Sequence, residues 1–237
     1  MKYSFFAITV ILFLIGCASE NNSMNLTGNV KGLKKGTLLL QKIEDTALIT
    51  VDSIVINGDS NFSFSEKIES PEIYYLYVRL KDGTLMDDRI TFFAENKPIN
   101  INTKLERFGS SAVVTGSVND SILKEYNKLM QRYIDKNLEI IQNRLTKTEG
   151  NDSLSAIYEK QQNSLLSSKY FATINFAMNK KEYEVAPYVI LSEAYNARVQ
   201  YLDTVYKALA PKIKDSKYGK ELESFIKERK KLDTIAR

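Results

Sequence analysis

The hydrophobic period of the chain changes at Ser117, from two to about 3.6, and no single layer of secondary structure satisfies both patterns. Up to Gly116 the chain reads as short apolar runs separated by turn residues, and eight of its ten glycines lie in that part. The runs are 24–30, 37–42, 48–56, 62–68, 73–80, 89–94, 99–103 and 112–115. Alternation is clearest in Val51, Ser53 and Val55 and in Phe62, Ser63, Phe64 and Ser65. Asn57-Gly58-Asp59-Ser60-Asn61, between two runs, predicts a hairpin, because Asn and Gly tolerate the positive φ of tight hairpin turns; Lys81-Asp82-Gly83-Thr84 predicts another.

Beyond Ser117 the apolar residues Ile122, Tyr126, Leu129, Tyr133, Ile134, Leu138, Ile141 and Leu145 recur at helical spacing, after capping oxygens at Asn119, Asp120 and Ser121. The polar segment 146–152, with Gly150, breaks this helix, and a second carries Leu154, Ile157, Tyr158, Leu165, Leu166, Phe171 and Ile174. A short connection between long helices predicts an antiparallel helical hairpin. Pro187 and Pro211 bracket shorter helices over 188–195 and 198–209, and Ser216 is placed to cap a last helix. The expected fold is α+β: an N-terminal antiparallel β-sandwich or open barrel over 24–117, then a helical domain over 118–237.

The first 17 residues are of another kind. Lys2, an apolar run from Phe5 to Ile15, and Leu14-Ile15-Gly16-Cys17 form a secretory signal ending in a lipobox. The run is shorter than the roughly 20 apolar residues that a spanning helix needs. Cys17 is therefore expected to carry the lipid, as the first residue of the mature chain. Residues 18–23 then form a polar tether spanning at most about 20 Å. Ala18 follows the cysteine with no acidic cluster after it, which places the protein on the periplasmic face of the outer membrane.

Composition narrows the chemistry. The chain has no histidine and a single cysteine, so a Ser-His-Asp set, an imidazole metal ligand and, once Cys17 is lipidated, any thiolate or disulfide are excluded. The net charge of +4 is spread over 33 basic and 29 acidic residues, without the dense basic patch of a nucleic-acid binder. Residues 18–117 are net −2 and residues 118–237 net +5.

Several β-half motifs follow one pattern: Gly28-Asn29-Val30-Lys31-Gly32 with Gly36, Asp52-Ser53 leading to Asn57-Gly58 and Phe62-Ser63-Phe64, Pro71-Glu72-Ile73-Tyr74-Tyr75-Leu76, Phe92-Phe93-Ala94-Glu95-Asn96 before Ile99-Asn100-Ile101, and Thr115-Gly116-Ser117-Val118-Asn119. In these the chain resembles the domain-of-unknown-function family 4369, a β-rich module at the N-terminus of lipoproteins in Bacteroidota. The helical half, through Asp215-Ser216-Lys217-Tyr218-Gly219, resembles the segment that in many relatives leads to a thioredoxin-like domain of the AhpC/TSA and TlpA kind. The resemblance implies a link to thiol-disulfide chemistry, as partner or truncated form of such a reductase. The Cys-x-x-Cys pair of the redox-active relatives has no counterpart here, so no catalytic residue carries over. Lys97-Pro98 stands where relatives often have a glycine turn.

The remaining local signals each have a plain structural alternative. Ser121 and Lys124 have the Ser-x-x-Lys spacing of penicillin-binding enzymes, without the companion motifs, and a helix cap explains the serine. Asp82, Asp87, Asp88 and Glu95 offer oxygen ligands for Ca²⁺ but lack calcium-loop spacing and read better as solvated loop. Tyr75 and Tyr77 share one strand face and Tyr74 takes the other, so a stacking platform competes with a core role. The basic run 227–231 reads as a solvated helix end, with anionic headgroups as the alternative ligand. Gly32-Leu33-Lys34-Lys35-Gly36 is a turn, without the ending of a phosphate loop. The expected function is a non-enzymatic envelope lipoprotein, with no catalytic, cofactor or metal residue. Its expected partners are a membrane and an envelope protein.

A chain whose one thiol is lipidated has no group to attack a disulfide. The purified chain lacking residues 1–17 is accordingly expected to leave insulin disulfides intact beside a thioredoxin control. Turnover above background in homogeneous protein contradicts this.

Overall fold

The computed structural model describes residues 23–147 and 152–235; the lipobox, most of the tether and Gly150 lie outside them. Eight strands come first: β1 (Ser23–Lys31), β2 (Lys35–Glu44), β3 (Ala47–Asn57), β4 (Asn61–Lys67), β5 (Glu72–Leu80), β6 (Ile90–Ala94), β7 (Pro98–Lys104) and β8 (Val113–Thr115). Six helices follow: α1 (Val118–Lys147), α2 (Asp152–Asn179), α3 (Val185–Glu193), α4 (Val199–Ala208), α5 (Pro211–Lys214) and α6 (Lys217–Ile235). The strands form two four-stranded sheets, in the orders β4-β1-β7-β8 and β3-β2-β5-β6. The result is an α+β protein with an open two-sheet sandwich that does not close into a barrel.

Alternate residues of the two sheets meet in a core that contains Leu26, Leu38, Leu40, Phe64, Tyr74, Leu76, Phe92 and Ile101, all essentially inaccessible to solvent. Phe62 and Phe64 point inward and Ser63 and Ser65 outward, as their alternation requires. All pairings are antiparallel except one, the parallel pair of β1 and β7. That pair departs from the expected antiparallel pattern because a long excursion through the second sheet separates its strands.

Three local expectations are corrected. The segment 57–61 is a tight turn, with Gly58 at φ +100°, but not a hairpin. It carries the chain from β3 in one sheet to β4 in the other, because the outer edge of β1 is free to receive Phe62 and Phe64. The unmarked pair Asp45-Thr46 forms the hairpin between β2 and β3, with Asp45 itself at φ +55°. In β3 the alternation read from Val51 to Val55 fails, because the register with β2 shifts beside Leu40 and Gln41 and skips Val51. The extra residue reverses the strand's parity, so Ile54 and Ile56 face the core and Val55 is 75% exposed.

The third correction concerns the start of α1. Its N-cap is Ser117, whose Oγ accepts from the backbone N–H of Asp120 at 3.0 Å, so Asn119, Asp120 and Ser121 lie inside the first turn. Gly116 precedes it at φ +97°, with an added Cβ 2.2 Å from the Pro98 carbonyl oxygen, so only glycine fits there. At the last helix Ser216 caps as expected, accepting from Gly219 N–H at 3.2 Å.

A second apolar cluster joins the helices to the outer face of the β3-β2-β5-β6 sheet. Ile73 of β5 and Phe93 of β6 belong to it together with Tyr126, Val189, Ile190, Leu202 and Leu222. Phe93 is fully buried and makes edge-to-face contacts with Tyr188 of α3 and Tyr218 of α6, at centroid distances of 5.4 and 6.1 Å. The order is thus sheet, sheet, helical layer. The α1–α2 hairpin extends past this layer, so that Ile134, Leu138 and Leu145 of the expected buried stripe are 50%, 59% and 77% exposed. Its base, from Ile122 to Tyr133 on α1 and around Ile174 on α2, packs into the cluster.

Phe93 ties both layers together, and its removal leaves a cavity among rigid neighbours. Phe93→Ala is expected to lower stability by about 3–5 kcal/mol in urea unfolding, while Val55→Ala, at an exposed position of the same sheet, stays within ~0.5 kcal/mol.

Candidate functional site

Two polar constellations stand out at the seam between the sandwich and the helices. The first is buried. Glu95, just past β6, presents Oε1 to the N-terminus of α1, where it accepts from Ser117 Oγ at 2.6 Å and from Asn119 N–H at 2.7 Å. Its Oε2 lies 2.7 Å from Lys97 Nζ. The orphan N–H groups and partial positive charge of a helix start favour an anion there. Burial raises the Glu95 carboxyl, but Lys97, Ser117 and Asn119 together outweigh it and hold the group below the usual carboxylate range.

Asn119 extends the network to the helical layer. Its Oδ1 accepts from Val185 N–H, and its Nδ2 donates to Glu184 Oε2, both at 2.9 Å, so one amide caps α3 and holds its flanking carboxylate. Asp120 turns back towards β6, accepting from the Phe93 backbone N–H. Lys124 Nζ stands 2.9 Å from its Oδ2, at an angle outside hydrogen-bond geometry, and donates to the Val114 carbonyl at 3.0 Å. Desolvation dominates at Asp120 and raises its carboxyl above the ordinary value.

The sequence candidates fall into place around these contacts. Ser121 Oγ donates to the Ser117 carbonyl at 3.0 Å while the Lys124 amine serves Asp120 and Val114, so the two do not form a nucleophile and base. The acidic set is dispersed: Asp82 accepts from Thr84 N–H at 2.9 Å in the β5–β6 turn, Asp88 accepts from Gly109 N–H at 2.6 Å, and Glu95 lies in the joint. Among the described residues no three carboxylates converge to hold a metal ion. Tyr74 is buried in the sandwich core, and Tyr75 and Tyr77 take the outer face. There Arg89 lies 4.5 Å from the Tyr75 ring centroid and donates to Tyr77 Oη at 2.9 Å.

The run 227–231 is less free than a solvated helix end. Arg229 donates to the Tyr195 carbonyl and Lys230 to Asp203 Oδ1, both at 2.6 Å, which fastens α6 to α4 and to the loop before it. The segment 32–36 is a turn with a buried Leu33. Among the described residues no helix is long and apolar enough to cross a membrane.

The second constellation lines an open cleft of about 890 Å³ at one end of the seam, between the β2–β3 hairpin, the loop before β5, and helices α3 and α6. Glu72, almost fully buried, sits at its base, bonded to Lys217 and 3.9 Å from Lys42. Beside it Tyr218 Oη accepts from the Ile73 N–H at 2.9 Å. Burial raises the Tyr218 phenol far above its usual value and pushes Tyr188 up to about 12, so both stay neutral. Lys42, Glu72 and Lys217 come from three distant segments, and the one signal in the sequence was an acidic residue immediately ahead of the apolar run that begins at Ile73.

The architecture defines a class, a two-sheet β module with a helical layer packed on one sheet. Within it, residues 24–123 match the model of a domain of unknown function, DUF4369. The match runs past Ser117 and Asn119, so Glu95 and its partners at the start of α1 lie inside the matched segment. No curated protein matches the chain.

Because Glu95 has a lowered folded value, its contribution is present above the unfolded carboxyl value of 4.5 and is lost as pH falls through the folded one. Glu95→Ala strands Ser117, Asn119 and Lys97 and is expected to cost about 3 kcal/mol or more at pH 7. The loss relative to wild type shrinks below pH 4.5, where Glu95 of the unfolded chain takes up a proton before that of the folded one. Urea unfolding at pH 7 and under acid conditions checks both the size and the direction.

Proposed function

We propose that this protein is a non-enzymatic lipoprotein of the cell envelope, a binding or scaffolding module held against the outer membrane by a lipid on Cys17. The observation that carries this reading is Leu14-Ile15-Gly16-Cys17 at the end of a short apolar run, followed within six residues by the first strand at Ser23. Two or three acyl chains, at about 0.8 kcal/mol per buried CH₂, make such an anchor effectively permanent.

The fold supports a membrane-proximal binding role. Ser23, where the tether enters β1, pairs with Lys67 at the end of β4, and the next residues, Glu69 and Ser70, line the cleft. A tether of at most about 20 Å therefore keeps the cleft near the anchoring surface. The ionisable groups at the base of the cleft and in the joint are engaged with each other: Glu72 with Lys42 and Lys217, and Glu95 with Lys97.

The thioether to diacylglycerol requires sulfur, so Cys17→Ser is expected to leave an unprocessed or soluble precursor while wild type fractionates with membranes. Equal membrane partition of the two proteins overturns the reading.

A further inference from the structure

We infer that the cleft at the seam binds a short basic segment of a partner protein, one that carries lysine or arginine next to apolar side chains. This deepens the binding role proposed above and rests on it.

Charge and shape select this occupant. Within the cleft lining, Lys42 and Lys217 both face Glu72, which offsets one of their two charges. Around them Glu44, Asp45, Glu69, Asp215 and Glu221 line the walls, and none of these five makes an ion pair within 4 Å among the described residues. Lys220 is the one lysine of the lining that is likewise outside an ion pair. The walls are thus strongly acidic in a chain whose net charge is +4, and they repel phosphate, carboxylate and anionic headgroups. Glu221 is raised by partial desolvation and by Glu72, against the pull of Lys217, as expected of a carboxylate short of a cation.

The floor adds a second requirement. Ile43, Ile73, Tyr75 and Tyr188 line it, and Ile43 is 43% exposed. A volume of about 890 Å³ is that of a pocket for a sizeable ligand. A bare ammonium ion fills little of it and leaves the apolar floor wet, so the cations have to arrive on a carrier with apolar side chains. Tyrosine faces attract such cations, and Arg89 of the chain itself already lies against Tyr75.

The test uses residues 18–237, which retain every described residue, with a fluorescein-labelled Lys-Leu-Lys-Leu-Lys-Leu peptide, its Glu-Leu counterpart, and phosphatidylethanolamine vesicles. In fluorescence anisotropy the lysine peptide is expected to bind at least about tenfold more tightly than the glutamate peptide, and to weaken several-fold between about 50 and about 300 mM salt. Glu44→Lys, Asp45→Asn and Glu69→Lys together, all at exposed positions and with Asn able to keep the positive φ of residue 45, are expected to weaken it about tenfold or more with an unchanged thermal melt. Glu159→Lys, on the far hairpin, leaves it unaltered. Equal binding of the two peptides, or undiminished binding by the triple variant, overturns the inference. Vesicle binding that the triple variant abolishes, with no peptide binding, also overturns it, in favour of a headgroup site. Failure here in a protein that fractionates with membranes through Cys17 removes the ligand assignment and leaves the envelope role standing.

Discussion

The carboxylate of Glu95 at the N-terminus of α1 is the contact on which the assembly of this protein turns. It stands at the end of β6, the edge strand of the helix-covered sheet, and it answers orphan donors at the start of α1. Through Asn119 the same network reaches the start of α3, so the directions of two helices are set by one buried polar chain. An apolar contact can slide by a residue at little cost, whereas a hydrogen-bonded buried ion cannot, because each unpaired group costs about 1–3 kcal/mol or more. The joint therefore fixes how the helical layer sits on the sheet, and the aromatic contacts of Phe93 with Tyr188 and Tyr218 supply much of the apolar burial there.

The cleft is a consequence of this arrangement. The helical layer covers the outer face of the β3-β2-β5-β6 sheet around Ile73 and Phe93, then falls short at the end where the β2–β3 hairpin and the loop before β5 emerge. Glu72 at that end is buried by α6 and needs cationic partners, which Lys42 and Lys217 provide from opposite sides. Among the described residues the carboxylates farther out make no ion pair within 4 Å, and this leaves an acidic surface over an apolar floor. The tether enters at the same end of the sandwich, so the surface best suited to recognition is also the one nearest the proposed anchor.

Much of the fold was legible in the residues because it rests on short-range chemistry. Each of the eight apolar runs became a strand, since alternation and turn residues act within a few positions. The long helices were equally plain, as was the Ser216 cap. The misread features share a cause. Gly58 fixes a turn but not which sheet receives the next strand, and the bulge at Val51 arises only when β3 is laid against β2. Ile134, Leu138 and Leu145 keep helical spacing whether or not the body of the protein reaches them, so periodicity overstated their burial. The cap at Ser117 was misplaced by three residues because Asn119 and Asp120 are equally good cappers, and both are claimed by α3 and β6 instead.

The sequence by itself determined the class: a β-rich half, a helical half, and a repertoire with no imidazole and a single thiol, at Cys17. These follow from local pattern and from which atoms are present at all. Only the tertiary structure decided which groups meet. Glu95 with Asn119, Glu72 with Lys217, and Gln41 with Tyr75 are separated by 24, 145 and 34 positions, and their encounter depends on sheet order and on the docking of the helices. Charge pairing and burial are properties of that encounter, so the joint and the cleft come into existence only with the folded chain.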